Sequence, residues 1–312
     1  MSSGEYYGGI ELGGTKIICA AGHGPESIIA RKIFQTTSDA DRILSDIIEW
    51  FYSVERVNGK MRALGVASFG PLDLNRSSPT YGRIMRTPKI GWQYLDILGR
   101  LSIGFSEVPV FITTDTNGAV LAEANWGAGK GLRNLVYVGL GTGIGAGVLV
   151  NGDILNCAGH TEIGHMLLPR LPDDPFPGIC SFHGACWEGM CSGTALRART
   201  GQDPCDLPWD HPVWGYQAEY CGVALANLVL AFSPERIIVG GGAANAGRQG
   251  REDFLSQVRK KTREHLAGYL DLPGLKFGAI DNFIVPPAFT DLSGVFGAIS
   301  YAAIASQLAT SD

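Results

Sequence analysis

The chain predicts an α/β fold of two similar lobes, and three features carry that expectation. Strand-like and helix-like segments alternate along its length, the pattern of the α/β class. Each lobe opens on a hairpin whose glycine turn carries a threonine, Gly13-Gly14-Thr15 in the first and Gly141-Thr142-Gly143 in the second. Glycine, 43 of the 312 residues, falls in clusters rather than at a repeat period.

In order, the apolar stretch ending at Leu12 reads as a strand, Gly13-Gly14 as a turn and Ile17–Ala21 as the returning strand. Asp39 and Asp41 open a helix whose apolar positions Ile43, Leu44, Ile47, Ile48, Phe51 and Val54 recur at helical spacing. Ala63–Ala67 and Val108–Thr113 read as short buried strands, the second running into Asp115, and Asn117–Trp126 as a helix ended by Gly127. Leu135–Leu140 and Ala146–Val150 form the second hairpin, and Asn151-Gly152 turns the chain into Asp153–Leu155. Helices are expected at Glu188–Arg199, Val213–Phe232, Arg251–Leu266 and Leu292–Leu308. Strands are expected at Arg236–Val239, ending in Gly240-Gly241-Gly242, and at Phe283–Pro286. Cys205–Trp214, rich in Pro and Trp, reads as a loop.

Composition removes several classes of function. A net charge of −5 with no Lys/Arg-rich run offers no field for nucleic acid. Met1–Glu5 lacks the basic-then-apolar pattern of a signal peptide. No apolar run is read as approaching the ~18–20 residues of a membrane span. Of seven cysteines, five (Cys19, Cys157, Cys191, Cys205, Cys221) are scattered in apolar or small-residue contexts, which suits free thiols in a reducing cytosol. The expectation is a cytoplasmic, globular protein acting on a small molecule.

The other two cysteines stand in Cys180-x2-His183-x2-Cys186, with His165 upstream. Thiolate and imidazole suit Zn²⁺, and four such ligands close a tetrahedral shell with no position left for substrate, so the metal would be structural. Glu162, three residues before His165, would be carried on the metal-pinned loop. Glu188, just past the cluster, is a second carboxylate, and such a pair suits sugar hydroxyls. Cys191 could compete as a ligand but falls inside an expected helix. His160 and His211 read as surface residues, and Trp187, Trp209 and Trp214 as packing.

The glycine turns also invite a phosphate reading. Glycines admit an anion close to the backbone, and the Thr hydroxyls and Lys16 add donors and charge. The P-loop pattern G-x-x-x-x-G-K-[ST] is absent. Gly141–Ala146 satisfies the dinucleotide pattern G-x-G-x-x-[GA], but that fingerprint needs a following helix and here a strand follows. Asp115, at the end of a strand, is either a helix N-cap or a general base for a substrate hydroxyl.

Ile10–Lys16, Asp115 with Asn117, Leu140–Gly145, Glu162–His165 and Val239–Gly242 occur in the order found in the ROK family, which the whole chain resembles. The family comprises bacterial sugar kinases and sugar-responsive repressors on the actin/hexokinase-like, ribonuclease H-like fold. The resemblance implies a small lobe at 1–115 closed by a C-terminal helix at 296–312, and a large lobe at 116–295 holding the zinc segment 160–191. It implies ATP phosphates on Gly13, Gly14, Thr15, Lys16, Gly141, Thr142 and Gly143, the nucleoside near Gly240, Gly241 and Gly242, and Asp115 as catalytic base. Gly70, Thr114, Glu162, His165 and Glu188, with Asp115, correspond to sugar-contacting positions. His165 is also expected to ligate zinc with Cys180, His183 and Cys186.

That Cys/His set, Phe69–Leu74, Thr80–Gly82 and Thr87–Trp92 are similar to the zinc-containing bacterial fructokinase branch. Thr114 stands where many members carry Asn, which weakens an expectation of glucose. The implied activity is Mg²⁺- and ATP-dependent phosphorylation of a hexose, fructose first, by a homodimer, with Glu11 ordering Mg²⁺ through water. Glucose, mannose or an N-acetylhexosamine remain alternative acceptors. A sugar-sensing protein is the alternative of another class, although repressors of the family carry about sixty or more residues ahead of the first glycine turn for DNA binding.

Overall fold

The structure is a computed structural model describing residues 5–87, 89–156, 158–245 and 250–309. Residues 1–4 and 310–312 of the expected small lobe, Pro88 of the Thr87–Trp92 motif and the Cys157 thiol lie outside the described residues.

The chain runs β1 (Tyr6–Leu12), β2 (Lys16–Gly22), β3 (Ile28–Gln35), α1 (Ala40–Asn58), β4 (Met61–Ser68), α2 (Ile97–Gly104), β5 (Val110–Thr114) and α3 (Asp115–Trp126). It continues through β6 (Leu135–Leu140), β7 (Ile144–Val150), β8 (Asp153–Ile154), α4 (Trp187–Cys191), α5 (Gly193–Thr200) and α6 (Val213–Phe232). β9 (Arg236–Gly240), α7 (Arg251–Leu266), α8 (Ile280–Phe283), β10 (Ile284–Val285) and α9 (Ser293–Ala309) complete it. Two compact units result: residues 1–130, 154–160 and 291–312 form unit 1, and 131–153 with 161–290 form unit 2.

Each unit is built on a five-stranded sheet, ordered β3-β2-β1-β4-β5 in the first and β10-β9-β6-β7-β8 in the second. Numbered from the first strand of each unit, both orders are 3-2-1-4-5, so the duplication suggested by the two glycine hairpins extends to the sheets. In unit 1, β2 is antiparallel to both β1 and β3, while β1, β4 and β5 are parallel, with Leu12 beside Ser68 and Ser68 beside Thr114. Three strands therefore end at one edge. In unit 2, β6 and β9 are parallel and end together, with Gly139 beside Gly240.

The unit 1 core lies beneath that sheet. Ile43, Leu44, Ile47, Phe51 and Val54 of α1 are buried with Ile10, Leu64, Val66 and Ile112 of the strands. On the other side α9 lies against β1, β4 and α3. By length and composition α9 could cross a membrane, but most of it is buried as a core helix. Unit 1 continues past the expected boundary at 115 as far as Lys130, because α3 packs along α9.

Four local features depart from expectation. β3 is an edge strand whose Arg31, Lys32 and half-exposed Ile33 mask the alternation of a strand. α2 is an eight-residue helix capped by the Asp96 side chain on Gly99 N–H. The expected helix Glu188–Arg199 is broken at Ser192, whose extended backbone ends α4 and whose hydroxyl accepts from Ala195 N–H to begin α5. His160 and His211 are both partnered: His160 Nε2 accepts from Leu72 N–H at 3.0 Å and His211 Nδ1 from Val213 N–H at 3.1 Å. The remaining expectations on thiols and tryptophans divide, with Cys19, Cys191 and Cys221 buried but Cys205 exposed. Trp187 and Trp214 are core, and Trp209 is on the surface.

The α3–α9 contact is close enough to be testable. A Cβ at Gly297 would stand 1.7 Å from the Gly118 carbonyl oxygen, and backbone cannot swing aside. Gly297→Ala is expected to destabilise the protein by about 2 kcal/mol or more. Gly215→Ala in α6, where nothing lies within 4 Å of the added carbon, should gain up to ~1 kcal/mol. Thermal unfolding of the two variants checks the contrast.

Candidate active site

In unit 1 the site residues collect where β1, β4 and β5 end, the edge at which open α/β sheets bind ligands. Gly13 and Gly14 turn the chain from β1 into β2; Gly13 N–H donates to Lys16 O at 3.1 Å, and Thr36 Oγ1 donates to Gly13 O at 3.0 Å. β4 runs out into Phe69 and Gly70, and Phe69 N–H donates to Leu12 O at 3.0 Å. Gly70 faces the His160 ring, the same ring that receives Leu72 N–H.

β5 delivers Asp115 as the first residue of α3. The N-cap is Thr114, whose buried hydroxyl accepts from Asn117 N–H at 3.1 Å. Capping therefore falls to Thr114 and commits one of its lone pairs to the helix. Asp115, half-buried, accepts from Thr116 N–H through Oδ1 at 2.7 Å.

Glu11, one residue before the end of β1, points its carboxylate at the start of α9, where Val295 N–H donates to Oε2 at 3.1 Å. A helix N-terminus and Lys16 both favour the anion. Burial and the negative charge of Asp115 outweigh them, and the Glu11 carboxyl is pushed up to about 7. Two carboxylates close enough to perturb each other at a glycine turn form an oxygen-donor pair whose repulsion a divalent cation would relieve.

Two lysines border this edge. Lys16 Nζ lies 3.2 Å from Asp291 Oδ2. An exposed pair of that kind is worth under about 1 kcal/mol, so an anionic ligand can displace it. Lys89 is half-buried, its ammonium 3.5 Å above the centroid of the Phe69 ring. Burial pulls it down to about 8, against the opposing charge of Asp115.

In unit 2 the Gly141–Gly143 turn follows β6 and is held by the start of α5. Gly193 N–H donates to Gly141 O at 2.7 Å and Thr194 Oγ1 to Thr142 O at 2.8 Å. Glu188 Oε2 accepts from Ile144 N–H at 2.8 Å, and a Cβ at Gly143 would stand 2.5 Å from that oxygen. A side chain at position 143 would therefore have to displace that carboxylate. Gly241, at φ 93°, lies so close to the end of β6 that a Cβ there would stand 2.3 Å from Leu140 O, so Gly240–Gly242 borders the same turn.

Glu188 reaches further. Its Oε1 stands 3.9 Å from His165 Nε2, while His165 Nδ1 faces Cys186 Sγ at 3.5 Å and Cys180 Sγ at 3.7 Å. His183 Nδ1 is 3.6 Å from Cys180 Sγ, and all four donor atoms lie within 4.8 Å of one another. A tetrahedral Zn²⁺ with bonds of about 2.3 Å to sulfur and 2.0–2.1 Å to nitrogen has S···N edges of roughly 3.5 Å. The donor set and its spacing fit such an ion. Cys191 is buried beside Cys221, away from this set. Glu162 is exposed immediately before the short helical turn Ile163–His165.

Every expected site residue therefore has a place, within its own unit. Unit 1 brings Gly13–Lys16, Gly70, Thr114 and Asp115 to one edge, and unit 2 gathers Gly141–Gly143, Gly240–Gly242, Glu162, His165, Glu188 and the Cys/His set. Lys89, Asp291 and His160 had no assigned part. Lys89 lies in the Thr87–Trp92 motif, and its charge amid apolar residues was the one available signal.

A profile of the ROK family matches residues 7–305. A fructokinase from Pediococcus pentosaceus is 37% identical over 292 residues, covering 94% of this chain and 96% of that one. A fructokinase from Zymomonas mobilis subsp. mobilis is 37% identical over 305 residues, 96% of each chain. Among solved structures, the ROK hexokinase from Thermus thermophilus aligns with a TM-score of 0.76 at 26% identity, covering 97% of this chain and 99% of that one. A ROK family glucokinase from Streptomyces griseus in complex with glucose and AMPPNP aligns with a TM-score of 0.72 at 22% identity, covering 96% and 99%. At that identity the likeness is one of fold. The two mixed sheets in two units are consistent with an actin/hexokinase-like two-lobe fold.

The crowding of Glu11 predicts a pH effect on stability. Its folded pKa lies above its unfolded value, so the favourable contribution of the neutral acid is present at low pH and is lost as pH rises from about 4.5 toward 7. In metal- and nucleotide-free buffer, Glu11→Gln should exceed the wild type in stability at pH 8 by on the order of 2 kcal/mol. The advantage should shrink toward pH 5. Thermal midpoints across that range check it; parallel curves would contradict the assignment.

Proposed function

The chain belongs to the ROK family, and on that premise we propose that it converts fructose to fructose 6-phosphate with Asp115 as general base. It is an ATP-dependent sugar kinase, and fructose is the acceptor named by several relatives at 35–39% identity. The geometric observation that supports the reading is the single strand edge carrying Glu11, Gly13–Gly14, Lys16 and Asp115.

On this reading Asp115, held at the head of α3 by the Thr114 cap, accepts the proton of the attacking hydroxyl, and Gly70 borders the sugar. Gly13, Gly14, Thr15 and Lys16 of unit 1 take ATP phosphate oxygens, Lys16 leaving Asp291 to do so. In unit 2, Gly141, Thr142 and Gly143 take phosphate, Gly240–Gly242 the nucleoside, and Glu162, His165 and Glu188 sugar hydroxyls. Mg²⁺ entering with ATP supplies charge neutralisation at the phosphates. Glu11, the carboxylate that Asp115 destabilises, is suited to hold it through water.

We assign Zn²⁺ to His165, Cys180, His183 and Cys186, as in the zinc-containing fructokinase branch. The ion would close the loop that bears Glu162 and His165, with the Glu188 carboxylate 3.9 Å from the His165 ring nitrogen that faces away from the thiols. The protein is taken to work in the cytoplasm as a homodimer.

A coupled ADP-release assay with Mg-ATP and fructose tests the base. Asp115→Asn is expected to lower kcat by about 10²–10⁴-fold with the fold intact. Turnover unaffected by that change would overturn the assignment. Metal analysis should find one zinc per chain, and Cys186→Ser should lose both zinc and most activity. Full activity without zinc would remove the metal from the account.

A further inference from the structure

We propose that Lys89 is a catalytic residue whose ammonium contacts the phosphoryl group in flight between ATP and the hydroxyl that Asp115 deprotonates. The inference rests on the sugar-kinase reading above and adds to it a group that no sequence motif marked as functional.

Three pieces of unit 1 fix where the ammonium stands. The first is the phosphate turn: a Cβ at Gly14 would lie 2.7 Å from Lys89 Nζ, so the ammonium rests directly over that glycine. The second is Phe69 at the exit of β4, whose ring lies 3.5 Å below Nζ and whose N–H is bonded to Leu12 O. The third is the lysine's own turn, closed by Trp92 N–H on Lys89 O at 3.2 Å. Trp92 anchors that turn: its buried indole N–H donates to Thr37 O at 2.7 Å, and its ring meets the Phe69 ring edge-on at 5.5 Å.

A lysine stem normally carries its charge to water. This one is bent inward over an aromatic face, an arrangement worth about 1–2 kcal/mol when desolvated. The carboxylate whose charge it feels is Asp115, the base itself. The ammonium thus stands over the turn that holds the donor phosphates and within the field of the group that activates the acceptor. Lys16 has a different place, more exposed and paired with Asp291 at 3.2 Å. The outer lysine serves bound ATP, and the inner one serves the transition state.

The chemistry balances without a further reactant. The sugar oxygen forms a bond to the γ-phosphorus while the bond from that phosphorus to the β–γ bridging oxygen breaks, and ADP departs with the electron pair. The hydroxyl proton passes to the Asp115 carboxylate. Lys89 keeps its own protons and donates hydrogen bonds to the equatorial oxygens, where charge is spread in the transition state. Preorganised donors of this kind typically contribute about 10²–10³-fold to kcat.

The test is steady-state kinetics on the full-length wild type, Lys89→Met and Lys89→Arg with Mg-ATP and fructose, alongside thermal unfolding. Methionine keeps the apolar stem over Phe69 and removes only the charge. The expected result is a kcat about 10²–10³-fold lower in Lys89→Met, with both KM values within about 3-fold. Lys89→Arg should recover at least about 10-fold of the loss. A Lys89→Met kcat within about 3-fold of wild type overturns the proposal, as does a rise in KM with kcat unchanged, which marks uniform binding only. If Lys89→Met loses both thermal midpoint and kcat, the arginine variant decides: recovery of rate supports the charge, and no recovery overturns it. No turnover by the wild type on any hexose is a separate result, which fails the kinase reading and with it the reaction assigned to Lys89.

Discussion

Three parallel strands that end in one register are the constraint on which unit 1 depends. Pairing of Leu12 with Ser68 and of Ser68 with Thr114 brings the exits of β1, β4 and β5 level. Burial fixes that register, because α1 and α9 cover opposite faces of the sheet and a slip of one residue would set larger side chains where Gly9 and Gly65 admit the α9 backbone. The polar residues at the exits then have no choice of position. Glu11 and Asp115 are forced close enough to repel, and Lys16, Lys89 and the α9 N-terminus oppose that repulsion. A hydrophobic constraint thereby creates an electrostatic demand, which the proposed phosphate and cation site would answer.

Unit 2 repeats the strand order, but the role of organiser passes to one side chain. Glu188 accepts Ile144 N–H with one carboxylate oxygen and stands near His165 Nε2 with the other. Through it the glycine turn and the Cys/His set share a carboxylate, with α4 as the rigid piece that sets the spacing. Cys186 caps α4 through Gly189 N–H at 3.4 Å. The donor set thus begins the same helix that carries Glu188, so the loop and the turn are fixed from one short segment.

Features encoded within a few residues were legible in the sequence. The two glycine turns declare themselves by composition, Cys180-x2-His183-x2-Cys186 by ligand spacing, and α1 by its periodicity. Features that depend on the sheet were not. β3 pairs at an edge, where Arg31 and Lys32 face solvent and erase the strand pattern. The choice between cap and base at Asp115 could not be read locally, because Thr114 beside it can also cap, and its extended backbone gives it that part. His160 reads as a surface residue until the chain brings it to Leu72 N–H. Lys89 reads only as a charge amid apolar residues until its turn is laid over Gly14 and Phe69.

These parts are expected to phosphorylate fructose in preference to other hexoses. The most direct measurement is kcat/KM for fructose, glucose, mannose and N-acetylglucosamine with Mg-ATP, on protein of known metal content. The expected preference for fructose is at least about 10-fold, a difference of roughly 1.4 kcal/mol in transition-state binding. Equal or greater kcat/KM for another hexose would contradict the acceptor, and absence of turnover on all four by folded, metal-loaded protein would contradict the phosphoryl-transfer site itself.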